Sequence, residues 1–366
     1  MVRSRSMVRW MIVALALIAT LLSFSGCSGG YIMRAALEQS KILLARRKID
    51  KVIDDPETPL DQREKLEVVL RARAFAASLG LDPGGSFTKY SAVDRDPLAW
   101  VVVGSKRDAF ALRLWWFPIV GSVPYKGFFD KADAVAEAAD LQKRGFETWV
   151  RGTEAFSTLG WFNDPVLSTT LKNPPVRIVN TVIHESVHST VWIKNNVPFN
   201  ESLANFIGTE GALAFFKAQS DACSEGADGC APVRAALSAA AADRMLQYDL
   251  SELIGGLFAS LERLYGDPKL SSEEKIARRS QVFEEQMSPF RARHPRLQIL
   301  KEINNAEIVQ LKLYLSDLIR FHRLFERGGR DWGAFLARIR EIEKAIDEGA
   351  RKDPFEVLRE MIGETV

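Results

Sequence analysis

The sequence predicts an α+β fold, mostly α-helical, with a small mixed β-sheet before a histidine-bearing helix and a helical C-terminal half. Three observations predict it. Ile183-His184-Glu185-Ser186-Val187-His188 lies in a stretch whose apolar residues, Val176, Val179, Val182, Ile183, Val187 and Val191, recur with helical spacing. Upstream the period changes: Leu98 to Gly104 and Ala109 to Phe117 are short runs rich in Val, Leu and Trp, as strands are. Downstream, Pro232 to Tyr265, Ser271 to Met287, Ala306 to Phe325 and Asp331 to Ile346 all keep helical spacing.

The chain begins with a targeting pattern. Arg3, Arg5 and Arg9 precede an apolar run from Trp10 to Leu22 that ends in Phe24-Ser25-Gly26-Cys27. A basic start, a short apolar run and small residues before a cut describe a secretory signal over 1–26, and the run is too short to span a bilayer comfortably. Cys after Ser-Gly resembles the bacterial lipobox, which implies that Cys27 is acylated and becomes the mature N-terminus, held in a lipid bilayer. Ser28 in place of Asp makes an outer-membrane lipoprotein of the cell envelope, facing the periplasm, the expectation.

Residues 27–85 read as an anchor and a helical hairpin: one helix from Tyr31 to about Ile53, a turn at Asp54 to Pro59, and a second from about Leu60 to Leu79. Residues 86–175 read as the sheet region. Its two strand runs form a hairpin across Ser105 to Asp108; a helix from Lys131 to Gly145 has Ala132, Ala136, Ala139 and Leu141 at helical positions, and Phe146 to Arg151 is a further strand. Residues 176–366 form the helical metal-binding region, with 86–366 as one catalytic unit. Pro174-Pro175 opens its first helix. Asn195 to Pro198 makes a loop, and Asn200 is placed to cap the next helix with Glu201 in its first turn.

His184 and His188 are four apart, so on a helix both imidazoles leave one face about a turn apart. That spacing can hold one Zn²⁺, with Glu185 able to reach a water on the open side of the metal as general base. Glu201 offers the third ligand, with Glu210 as its competitor. Asn205, one turn beyond Glu201, is placed to orient a ligating histidine. Tyr314 is the first candidate for the donor to a tetrahedral intermediate, followed by His322, His294, Asn304 and Asn305. Cys223 and Cys230 flank a Gly- and Asp-rich loop, which in an exported protein reads as a local disulfide.

His184-Glu185-Ser186-Val187-His188 followed by Phe199-Asn200-Glu201-Ser202 resembles the zinc peptidases of the gluzincin type. More narrowly, the chain resembles a family of bacterial predicted aminopeptidases that are zinc lipoproteins. Further residues carry that likeness: Trp116-Phe117-Pro118, Gly121, Tyr125 to Phe129, Ser157 to Phe162, Asp164-Pro165 and Asn304-Asn305. Ser186 is polar where the family has a small hydrophobic pair, and the spacer from His188 to Glu201 is shorter than in the thermolysin-like enzymes. The resemblance implies a gluzincin-like fold, favours Glu201 over Glu210, and implies a peptide or protein substrate cut at its N-terminal bond. It also makes Ser157, Thr158, Leu159 and Gly160 the sheet edge against which an extended substrate pairs. Two other readings stand beside it: an envelope zinc endopeptidase, and a lipid-anchored binding or assembly factor whose metal is structural.

Composition excludes other classes. The 49 basic and 47 acidic residues leave a net charge of +2, with the two signs mixed, so no nucleic-acid surface is expected. No glycine-rich phosphate loop or repeat is present, and past the signal no apolar run is long enough to cross a bilayer.

Overall fold

A computed structural model describes residues 38, 40–117, 121–153, 164–224, 230–295, 297 and 303–364. Cys27 and the segment from Ser157 to Gly160 lie outside the described residues. The architecture is α+β and mostly helical. No described helix is long and apolar enough to cross a membrane.

In chain order, residues 40–44 are helical, then β1 (Arg47–Lys48) leads into the short helix α1 (Ile49–Ile53). The single helix expected up to Ile53 is therefore broken. Apolar spacing could not weigh the backbone partners that a distant strand offers to Arg47 and Lys48. Helix α2 (Leu60–Ser78) follows as expected, with Leu66, Val69, Ala72 and Ala76 as its buried stripe. Next come β2 (Lys89–Ser91), β3 (Ala99–Lys106), β4 (Trp115–Phe117), β5 (Gly121–Val123) and β6 (Lys126–Phe128). Helix α3 (Lys131–Lys143) is capped by the Asp130 carboxylate, which accepts from Ala132 N at 2.8 Å, and Gly145 ends it at φ +80°. Its buried face is Ala134, Ala138 and Leu141, while Ala132 and Ala136 are exposed. Stepping back from Leu141 by three and seven finds that face; the alanine run alone does not. Strands β7 (Phe146–Thr153) and β8 (Val166–Leu167) complete the set.

The strands form small sheets ordered β1-β2-β8, β6-β3-β7 and β4-β5. The expected hairpin of Leu98 to Gly104 with Ala109 to Phe117 is only begun. Ser105 bridges Leu112 and Arg113 N donates to Gly104 O at 2.8 Å, after which the second run leaves and pairs with β5. The partners of β3 are β6 and β7, both antiparallel. One face of this central sheet packs Val102 and Trp115 against Ala134, Ala138 and Leu141 of α3. The other packs Val101 and Val103 against Ala306.

The helical half runs α4 (Pro175–Thr190), α5 (Val197–Asp221), α6 (Cys230–Gly266), α7 (Ser272–Arg293), α8 (Asn305–Leu315), α9 (Leu318–Arg327), α10 (Trp332–Asp347) and α11 (Pro354–Met361). A disulfide joins Cys223 to Cys230 between α5 and α6. One large apolar cluster runs from Ile49 and α2 through α4, α5 and α6 to α11. The histidine-bearing helix α4 is thus embedded on its apolar side and open on its polar side.

Candidate active site

Helix α4 starts with Pro175 in its first turn, where the missing N–H costs nothing. Val176, Ile178, Val179, Val182, Ile183 and Val187 are buried on one side, leaving Asn180, Thr181, His184, Glu185 and His188 half-buried on the other. Ser186 belongs to the buried side. Its hydroxyl donates to the Val182 carbonyl at 2.7 Å, so a polar residue fits there because its own helix satisfies it.

The chain then reverses within a few residues. Asn195 takes φ +62°, and α5 begins at Val197, four residues before the start that an Asn200 cap would give it. Asn200 is inside the helix and only 1 % exposed. Its Oδ1 accepts from Ile193 N at 3.0 Å and its Nδ2 donates to Ile193 O at 2.8 Å. Asn200 is therefore no N-cap but a clamp that ties the connector to α5 and so fixes how Glu201 meets α4. The helices approach closely because α5 presents Gly208 and Gly211. A Cβ on Gly208 would stand 2.8 Å from Asn180 Oδ1 and 3.3 Å from His184 Cβ.

Three side chains bring ligand atoms to this junction. His184 Nε2 and His188 Nε2 are 3.2 Å apart, and the Glu201 carboxylate oxygens lie 3.4 Å and 3.6 Å from them. A tetrahedral ion with bonds of about 2.0–2.2 Å separates its ligand atoms by roughly 3.3–3.6 Å. The triangle fits such an ion, and a two-His, one-carboxylate set suits zinc. Burial works to raise the Glu201 carboxyl, but hydrogen bonds and charge from the two imidazoles prevail and hold it down at about 2. Burial likewise works to lower the His188 imidazole and is outweighed by Glu201, so that group is raised. His188 Nδ1 is buried without a partner among the described residues.

Tyr314 of α8 faces this junction. Burial first, then the Glu201 carboxylate, push its phenol up to about 12, with Arg151 opposing and Tyr125 and Glu185 adding to the rise. Burial also raises the Tyr125 phenol, with Arg151 and Glu201 acting on it in opposite directions. Neither Tyr125 nor Arg151 was singled out for chemistry by sequence reasoning. Tyr125 lay within the segment that carries the family likeness, and a strand arginine has no local signature of a site.

The other candidates sit elsewhere or do other work. Asn205 donates to Gln247 Oε1 at 3.2 Å and to the Tyr314 carbonyl at 2.9 Å, and among the described residues no hydrogen bond joins it to an imidazole. It holds α8 to α5 and does not orient a ligand. Glu210 is buried two and a half turns beyond Glu201, where it accepts from the Tyr248 hydroxyl and lies 3.5 Å from His322 Nδ1. It cannot serve as third ligand, and His322 belongs to its cluster. His294 pairs with Asp249 at 2.6 Å. Asn304 caps α8, accepting from Glu307 N at 3.1 Å, and the buried Asn305 donates to the Lys106 carbonyl at 2.9 Å. Both asparagines join α8 to the sheet, nine or more residues before Tyr314. A cavity of about 760 Å³ opens among Glu252, Lys312, Asp317 and Arg320, on the opposite side of α8 from Tyr314, and excludes the His-Glu-His triangle.

A family model described as putative aminopeptidase matches residues 30–353. No curated protein and no solved structure matches the chain.

Proposed function

The chain belongs to the family described as putative aminopeptidase, and on that premise we propose a zinc-dependent peptidase that hydrolyses the N-terminal bond of peptides. His184, His188 and Glu201 would hold the ion. When bound, it supplies a Lewis acid and a water whose pKa falls toward about 7. Glu185, next to the first histidine on the open side of α4, takes the proton of the attacking water and passes it to the leaving amine. Tyr314 keeps its proton at neutral pH, since its pKa of about 12 lies far above it, and donates a hydrogen bond to the oxygen that gains charge. The single observation carrying this reading is the convergence, from two helices, of two imidazole nitrogens 3.2 Å apart with a carboxylate that sets one oxygen 3.4 Å from the first and the other 3.6 Å from the second.

The test is metal content and hydrolysis of the full-length chain. One equivalent of zinc in the wild type, lost in His188→Ala, is expected, as is cleavage of free but not N-acetylated peptides. Equal cleavage of blocked peptides would make the enzyme an endopeptidase. Glu185→Gln should retain zinc while kcat falls about 10²–10⁴-fold; full cellular function in that variant would instead favour a binding or assembly factor with a structural metal. A gluzincin-like arrangement and attachment to the periplasmic face of the outer membrane through an acylated Cys27 belong to the same proposal. Acylation is checked by palmitate labelling that disappears in Cys27→Ser.

A further inference from the structure

Arg151 is half-buried on β7, and among the described residues its guanidinium has no hydrogen bond and no ion pair; it only overlies the Trp149 ring at 5.7 Å. A half-buried guanidinium with no protein acceptor keeps its fork of donors available to an anion that a ligand brings. Two other cations at this sheet have carboxylate partners. Arg279 reaches Glu147 and the Arg107 carbonyl, and Lys126 reaches Glu137 at 2.9 Å.

The fold aims Arg151 at the candidate metal site. Asn305 N donates to Glu147 Oε2 at 3.0 Å and Asn304 Nδ2 donates to Thr148 O at 3.2 Å, so α8 and β7 leave from one anchor. From there nine helical residues rise about 13.5 Å. Four strand residues rise about 13 Å. Tyr314 and Arg151 therefore come level. Strand alternation puts Glu147, Trp149 and Arg151 on the sheet face that packs against Ala306 of α8. Arg151 stands opposite Val101, and Val101 opposite Gly127, so Tyr125, two residues before Gly127, comes to that same face. From the far side, Ser202 Oγ and Asn205 Nδ2 donate to the Leu313 and Tyr314 carbonyls and hold α8 against the helix of Glu201. After burial, Glu201 is the stronger influence on the Tyr314 phenol and Arg151 the stronger on Tyr125. Tyr314, Tyr125 and Arg151 thus share one neighbourhood with the Glu201 carboxylate.

We propose that Arg151, flanked by Tyr125, binds the free C-terminal carboxylate of the substrate, so that the bond cut is the last one and the preferred substrates are dipeptides. One extended residue spans about 3.3–3.6 Å, so the carboxylate of the residue after the scissile bond stays within one residue length of the reacting carbonyl. A planar guanidinium matches a carboxylate through two parallel hydrogen bonds. A dipeptide is also the one substrate whose first and last peptide bonds coincide, which reconciles this cation with removal of an N-terminal residue.

This assignment rests on the peptidase reading, and two measurements keep them apart. The zinc-loaded full-length protein is assayed with Ala-Phe and with Ala-Phe amide. The wild type should favour the free acid on the order of 10- to 100-fold in kcat/KM, mostly through KM. In Arg151→Met that ratio should fall to near one, and Arg151→Lys should restore part of it. Calorimetry on zinc-loaded Glu185→Gln then compares binding of the same two ligands with and without Arg151→Met. A wild-type ratio near one, or a ratio above ten that survives Arg151→Met, overturns the assignment. If neither peptide is cut, the peptidase reading fails, and binding alone decides: carboxylate-dependent affinity that vanishes with Arg151 supports the assignment, and equal affinity for acid and amide sinks it.

Discussion

Glu307 carries a carboxyl that burial alone pushes from 4.5 to about 7, with no partner among the described residues. An acid raised in the folded state contributes stability below its unfolded value of 4.5 and loses it as pH climbs to about 7. The full shift corresponds to roughly 3 kcal/mol, and partial contact with solvent reduces this to about 1–2 kcal/mol. Denaturant unfolding at pH 5 and pH 8 should therefore show the wild type losing that stability, while Glu307→Gln loses none and is the more stable protein at pH 8. Equal pH profiles would show that the carboxyl is hydrated. At Tyr314 the expectation is kinetic: Tyr314→Phe should lower kcat by about 10²–10³-fold with KM little changed, because the phenol acts on charge that appears only in the transition state. These residues also mark how far a sequence can be read. His184, Glu185 and His188 were legible because a four-residue spacing on an apolar-striped helix specifies geometry by itself. Arg151 and Tyr125 were not, because their meeting with Tyr314 depends on which strands pair and on where α8 is anchored.

Elements were legible where a periodic pattern is long and self-contained, and less so where a distant partner decides. Helix α2 and helix α4 fall where apolar spacing and Pro175 place them. Asn200 misled because the same side chain that caps a helix start can bind a connector from within the helix, and only the fold tells which backbone groups are in reach. The two glycines of α5 are silent in sequence for a similar reason. They read as mild helix weakeners, yet they set the distance between the helices that carry the histidines and Glu201. Gly208→Ala would bring a methyl within 2.8 Å of Asn180 Oδ1 and 3.0 Å of its carbonyl oxygen, so the helices must part. The expected cost is about 1–3 kcal/mol despite the better helix propensity of alanine. Zinc affinity, measured by competition with a chelator, should fall with it, because widening the junction spreads the triangle. A Gly208→Ala protein more stable than wild type and equally tight for zinc would contradict this account of the helix pair.

At the scale of the whole molecule, the sheet that carries Arg151 and the helices that carry the triangle must hold one relative position. A small set of contacts fixes it. The Glu147 carboxylate of β7 receives the Arg279 guanidinium of α7 and the backbone N–H of Asn305 on α8. Arg279 is 9 % exposed and Glu147 12 % exposed in their side chains, so both charges are largely out of water and depend on one another. Removing one leaves the other buried and unpaired, which costs about 3–5 kcal/mol, whereas replacing both with apolar groups of similar size can be nearly neutral. Arg279→Met should therefore destabilise strongly, and hydrogen exchange should quicken first in β3 and β7, ahead of the helices α4 and α5. KM for a free dipeptide should rise as Arg151 drifts, while zinc stays bound. Pairing Arg279→Met with Glu147→Leu should recover most of the stability. If the double variant is as unstable as the single one, the ion pair is not what joins the two regions, and the alignment of Arg151 with Tyr314 must be held by Asn304, Asn305 and the packing of Val101 and Val103 on Ala306.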